Sequence, residues 1–412
     1  MNQFLKNATL DFKNDIIDFT QRLIQTPSLS GDEELLAELI LAELRKLNYD
    51  YTFVDGIGNV VGIMYGKNDE KNTLFSSHMD HNNPEELDLW ECSPYSGEII
   101  NNSIHGIGAS DSKGAIASQI YAGAILKKNN LLSKGNYIVS CVVRENSAGY
   151  FGTKYLFEKT FQHKNLPINY VILGNATSLN IYIGQRGRVE FELTTYGKTS
   201  HSGISWTAIN ATHKILPVIK SIEDLIDTLP SHPMLDRATL AITSMETFPK
   251  RLSSVPDRCV ININRSFLPN ESIEEVKGQL QAIIDKFTAD DHNFKATLKV
   301  NSSNVTSYTG FTKEIPKLIH PFLTEENSLL VKNTYLALKE LQGNVNFGTW
   351  YFSTDGGYTS SILKLPTIGY SPGEEKYFNT PFDLVNIDNL LSATSGNAVI
   401  YLSLWYKIYL RV

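Results

Sequence analysis

Residues 72–84 read NTLFSSHMDHNNP, an apolar run that gives way to two histidines and an aspartate. The run has the length and composition of a buried strand ending in a loop. Successive side chains of a strand point to opposite faces, so His78 and Asp80 leave its end on one face. There an imidazole can hold a metal while the carboxylate orients it. One histidine cannot hold a metal alone, so further donors would have to come from elsewhere in the chain.

Working outward, helical periodicity marks residues 9–25 and 32–47, with TPSLSG between them read as a turn carrying an N-cap serine or aspartate. TFVDGIGNVVGIMYG (52–66) reads as a hairpin, KGAIASQIYAGAILKKN (113–129) as an amphipathic helix and GNYIVSCVVRE (135–145) as a buried strand. NSAGYFGTKYLFEKTF (146–161) is a loop entering a helix, and NYVILGNAT (169–177) a second buried strand. Strands alternating with helices predict an α/β core with a mainly parallel mixed sheet. From 187 to 300 the order changes to strand, helix, two strands, helix, strand, a compact α+β domain of the ferredoxin-like kind. The α/β pattern then resumes, so this domain is read as inserted: residues 1–186 and 301–412 form the catalytic domain and 187–300 a lid.

The composition, 42% hydrophobic and 20% charged over 412 residues, is globular and supplies enough core for two or three domains. A formal charge of −7 with no dense basic run argues against nucleic acid and anionic membrane as partners. Cys92, Cys141 and Cys259 lie far apart without a CxxC, which points to a reducing cytosol. The polar N-terminus lacks the apolar stretch of a signal peptide, and the C-terminal AVIYLSLWYKIYL, interrupted by Lys407, reads as a buried terminal helix or strand rather than a span.

HGIGASDSKGAIAS (105–118) adds a glycine-rich loop that delivers Asp111 just before a helix, a position that by itself suits an N-cap. With SSHMD thirty residues upstream, the chain resembles the dinuclear zinc amidohydrolases and exopeptidases: aminoacylase, acetylornithine deacetylase, succinyl-diaminopimelate desuccinylase and the glutamate carboxypeptidases, with the YgeY-type hydrolases of the deacetylase-like branch. GQRGRVEFEL (184–193) resembles the crossing into the family's lid and GKTSHSG (197–203) its lid histidine, His201. SVPDRCVININRS (254–266) resembles the lid strand with its substrate-binding arginine, Arg265. FSTDGGYTSS (352–361) and GYSPGEEKYFNTPFD (369–383) resemble the last two core motifs.

The resemblance implies five metal ligands, of which His78 and Asp111 are present. The family's paired glutamates fall on RENS, leaving Glu145 as the base and Asn146 at the ligand position. The next acidic ligand falls on Asn175, and the late histidine on Asn379, with Asp383 at the acidic end of that motif. Zinc takes N, S or anionic O donors, and a neutral amide is a poor substitute. The dinuclear site is therefore expected to be lost, with no cofactor or at most one weakly held zinc on His78, Asp111 and His81. Glu145, Asp80, His78 and His201 are the expected catalytic groups. Asn146, Asn175 and Asn379 supply amide hydrogen bonds, and Arg265 holds a carboxylate of a small substrate. Glu374 and Glu375 are read as a solvated pair, Cys92 as a packed thiol, His105 as structural, and His232 and His292 as exposed.

Three functions fit: a metal-independent or mononuclear amidohydrolase acting on a small N-acyl amino acid or peptide, an acyl-transfer or amide-forming enzyme, and a non-catalytic regulatory homologue. By resemblance the lid forms a homodimer and His201 reaches an active site, its own or the partner's.

Overall fold

The computed structural model describes residues 1–67, 71–85, 87–132, 134–146 and 149–405. Ser147 and Ala148 of the 146–161 loop and residues 406–410 of the apolar C-terminal run lie outside the described residues. The chain begins with helices α1 (Asn2–Leu10), α2 (Lys13–Gln25) and α3 (Glu34–Lys46). The periodicity read as one helix over 9–25 is therefore divided near Asp11. The residue preceding α3 is Glu33, which makes no side-chain capping bond, so the serine or aspartate cap read in TPSLSGD is not used.

Strands β1 (Tyr51–Val54) and β2 (Val60–Met64) form the hairpin, followed by β3 (Asn72–His78), α4 (Gly114–Lys128), β4 (Asn136–Val142), β5 (Tyr170–Leu173) and β6 (Ile181–Gln185). The chain then enters a second sheet: β7 (Gly187–Tyr196), α5 (Ala211–Ile226), β8 (Leu240–Phe248), β9 (Arg258–Phe267), α6 (Ile273–Asp290) and β10 (Lys295–Val300). It returns through β11 (Phe322–Leu323), α7 (Leu329–Gln342), β12 (Phe347–Trp350), β13 (Thr367–Gly369) and α8 (Ile387–Trp405).

Among the described residues the first sheet has nine strands in the order β1-β2-β4-β3-β5-β13-β6-β11, with β12 also paired, in parallel, to β6. Its centre is parallel, β4-β3-β5-β13, and its flanks are antiparallel. β3 is buried along its whole length, as a strand with helices on both faces must be. Helix α4 is buried from Gly114 to Leu126 and packs on α8 and the sheet. It is apolar all round rather than amphipathic as read, because no face of it meets water.

The second sheet is antiparallel in the order β8-β9-β7-β10. Helices α5 and α6 lie on it over a separate core that includes Phe191, Ile215, Ile261, Ile263 and Leu280. After β10 a hairpin, Ser302–Thr306 with Thr312–Pro316, leads back to the first sheet. Among the described residues no helix is long and apolar enough to cross a membrane.

Candidate active site

Parallel strands deliver their carboxyl ends to one edge of a sheet, where α/β proteins bind ligands. Here β4, β3 and β5 are neighbours, so His78 at the end of β3, Glu145 three residues beyond β4 and Asn175 two beyond β5 meet at that edge. Asp111 comes from the glycine loop ahead of α4, and its peptide bond to Ser112 is cis. The Ser112 hydroxyl ties this loop to the end of β3, accepting from His78 N at 3.0 Å and donating to His78 O at 2.8 Å.

His78 is buried and reaches two carboxylates. Its Nε2 lies 3.3 Å from Asp111 Oδ2, and its Nδ1 donates to the Asp80 carbonyl at 2.9 Å, 3.5 Å from Asp80 Oδ1. Asp80 accepts from Ser30 Oγ at 2.5 Å and from the backbone N–H groups of Glu145 and Asn146, both at 3.0 Å. Asp111 accepts from Ala176 N at 2.9 Å and, at 3.4 Å, from the Asn175 amide, which also lies 3.5 Å from Glu145 Oε1. The Asn146 amide donates to the Asp80 carbonyl at 2.9 Å.

Four buried carboxyls and one imidazole cannot all carry full charge in a dry site. Burial, reinforced by Asp355, Asp111 and Asp80 against the pull of His78, holds the Glu145 carboxyl well above the usual range. Burial opposes a charged His78, but Glu145 and Asp111 outweigh it and keep the imidazole protonated well past its ordinary value. Asp80 is held low despite its burial, by His78, Ser30 and the Asn146 backbone N–H.

Six of the residues read from the sequence thus come together: His78, Asp80, Asp111, Glu145, Asn146 and Asn175. Three do not. His201 is exposed on the lid, where its Nδ1 accepts from Gly203 N and caps the turn 202–207. Asn379 is exposed, in the left-handed region, and accepts from the Asn82 amide at 3.2 Å, beside a cleft of about 440 Å³ that includes Trp90 and Glu85.

Arg265 requires a correction. It is 1% exposed, and its guanidinium pairs with Glu271 at 2.6 Å inside the lid. The alternation of β9 turns it inward with Cys259, Ile261, Ile263 and Phe267, so it offers no substrate-facing cation. His81 is also unavailable to a metal: Nδ1 donates to Asn82 O at 2.7 Å and Nε2 accepts from Ser28 N at 3.0 Å. Burial and the neighbouring Lys113 push it down to about 4, which keeps it neutral.

The reading also missed a member. Asp355, in the STDGG segment, is 5% exposed, accepts from Thr153 Oγ1, and is close enough for its charge to act on Glu145. Burial raises it to about 6. Nothing in its spacing from other acids marks it. Glu375 is half-buried rather than solvated, accepting from Tyr182 Oη at 3.0 Å and Tyr351 N at 3.3 Å. Asp383 shapes the glycine loop, accepting from Gly108 N at 2.7 Å and Ser110 N at 2.9 Å.

A parallel α/β core with an inserted antiparallel lid, and a histidine–carboxylate cluster at the strand ends, define the two-domain exopeptidase and amidohydrolase class. The chain belongs to peptidase family M20/M25/M40, whose model matches residues 74–395. It is similar to the protein YgeY of Escherichia coli (strain K12), 26% identical over 395 residues and 95% of each chain. A succinyl-diaminopimelate desuccinylase of Blochmanniella floridana is 25% identical over 291 residues, 68% of this chain and 76% of that one. Among solved structures, Bacillus subtilis YXEP, described as a dinuclear metal binding peptidase of the M20 family, shares the fold with a TM-score of 0.68 at 15% identity. The match covers 95% of this chain and 98% of that one. The family is one of enzymes acting on peptide and related amide bonds.

Family membership implies a pair of metal ions, and at the ligand positions that the resemblance assigns this chain has His78, Asp111, Asn146, Asn175 and Asn379. Among the described residues no group of three or more His, Cys, Asp or Glu side chains is arranged to hold a metal. Asn146 and Asn175 turn N–H groups, which cannot ligate, toward the Asp80 carbonyl, Asp111 and Glu145.

Proposed function

We propose that this chain is an amidohydrolase-like enzyme that cleaves the amide bond of a small N-acyl amino acid or peptide-like substrate without the paired metals of its family. The observation that carries the reading is Asn175. Its amide lies 3.4 Å from Asp111 and 3.5 Å from Glu145, which supports a hydrogen-bond donor at the position where the resemblance places an acidic metal ligand. A relative named for desuccinylation supports the acyl-amino-acid side of the reading.

Glu145 then takes a proton from the water that attacks the acyl carbon and returns it to the departing nitrogen. A carboxyl raised by burial suits both transfers. His78, oriented by Asp80, relays protons, and the Asn146 amide, one N–H of which is held by the Asp80 carbonyl, offers its second to the carbonyl oxygen as it gains charge. The lid is the dimer surface in this reading, with His201 beside Trp206, which is 79% exposed.

The test is metal analysis of protein purified without chelator, together with a panel of acyl amino acids and dipeptides, with and without an amine acceptor. The expected outcome is less than one equivalent of metal, turnover that survives chelation, and a loss of about 100-fold or more in Glu145→Gln. Two tightly held equivalents overturn the metal-free part. Products formed only with the amine acceptor replace hydrolysis with acyl transfer.

A further inference from the structure

The turn that presents Glu145 is held by a residue outside the site described so far. Three consecutive backbone amides, those of Arg144, Glu145 and Asn146, grip two carboxylates: Arg144 N donates to Glu33 Oε1 at 3.1 Å, and the next two donate to Asp80. Successive N–H groups around a left-handed residue form a concavity that binds anions. Arg144 is that residue, with φ of +62°. A non-glycine side chain is strained in that region and stays there when its surroundings hold it.

The surroundings come from one short turn of the N-terminal segment. Glu33 supplies the acceptor for the Arg144 amide. Gly31 leaves the space through which the Arg144 side chain passes, since a Cβ there would lie 2.2 Å from its Nη2. The guanidinium continues to the Thr306 carbonyl, donating at 2.8 and 2.6 Å. Ser30, immediately before Gly31, holds Asp80.

Glu33 is an expensive residue to keep here. Its side chain is fully buried, and Oε2 has no hydrogen-bond partner. A buried carboxyl with an idle oxygen costs stability that an apolar residue would not. It also makes no capping bond to α3, although it immediately precedes that helix. Besides the backbone N–H groups of Gly31 and of Glu33 itself, which belong to its own turn, the donor it holds is the Arg144 amide.

We infer that Glu33 is a positioning residue: its buried carboxyl fixes the left-handed turn at Arg144 and thereby aims Glu145 and Asn146 at the cluster. The catalytic consequence rests on the reading of Glu145 as the acid–base group; the structural one does not. The test is amide hydrogen exchange at residues 144–146 in Glu33→Leu, Glu33→Met and Glu33→Gln, with kcat and KM on whichever amide the wild type cleaves.

In the apolar variants exchange at Arg144 is expected to quicken about tenfold, the worth of one backbone hydrogen bond. Amides of the lid sheet stay unchanged, and kcat falls while KM holds. Glu33→Gln keeps an acceptor and is expected to restore both protection and kcat in large part. Unchanged protection in a folded apolar variant overturns the inference. If neither apolar variant folds, the wild type decides, since an Arg144 amide exchanging at the free rate also overturns it. Because exchange is read without substrate, a protein that cleaves nothing on the panel defeats the proposed function and leaves this inference standing or falling by itself.

Discussion

Asn175 differs from an aspartate by one nitrogen, yet that atom reverses the direction of its hydrogen bonds. With aspartate there, Asp111 and Glu145 would face a third anion in a buried site, which calls for a cation. Asn175→Asp is therefore expected to lower the melting temperature without metal and to recover it with zinc. The double variant with Asn146→Glu should retain zinc through gel filtration when the wild type does not, as measured by metal analysis. At this scale the sequence was legible where a residue sits at a strand end, as His78, Asp80, Glu145 and Asn175 do. It was also legible for Arg265, though it was misread. The series Cys259, Ile261, Ile263, Arg265, Phe267 alternates with Val260, Asn262, Asn264 and Ser266, so the arginine shares the parity of the core. Asp355 was not legible, because a buried acid in a threonine- and glycine-rich turn looks like any other turn residue.

The same parity defines what β9 can do as an element. Its inward face carries an ion pair, Arg265–Glu271, at the border of an apolar core. Removing either partner of a buried pair strands the other, and the cost is larger when the stranded charge is the more deeply buried one; the Arg265 side chain is 1% exposed and that of Glu271 10%. Glu271→Leu is expected to cost about 3 kcal/mol in urea unfolding, and Arg265→Met less. Neither should change KM by more than about twofold if Arg265 braces the lid and does not hold substrate. The long elements followed from their periodicity, since β7, β9, α6 and α8 each carry a sustained pattern. Strands of the first sheet that run two to five residues, such as β6, β11 and β12, are too short to show a period. They were found by pairing, which is a property of distant chain segments rather than of local sequence.

Across the whole molecule, buried acids make stability depend on pH. Burial raises Asp383 to about 8 from 3.8, with Asp111 adding to it and its two backbone bonds and Lys113 opposing. Glu33 is raised to about 7 by burial and by Asp80. Between their unfolded and folded values the native chain holds protons that the unfolded chain releases, so stability falls as pH rises from about 4 to about 8. Lys113, lowered to about 7 chiefly by burial, acts in the opposite sense, and its contribution is regained between about 7 and 10.5. Urea midpoints are expected to decline from pH 5 to pH 7, and less steeply in Asp383→Asn, which has no proton to lose.

The return path from the small domain has a mechanical consequence. The chain comes back through the hairpin at 302–316, whose Thr306 carbonyl is clasped by the Arg144 guanidinium, while Tyr308 and Thr309 rest on the carbonyls of Gly58 and Gly56. The crossing from the lid is thereby tied to the peptide immediately before Glu145. One clasp at residue 144 therefore joins two ends, the strap returning from the small domain and the turn that carries the acid.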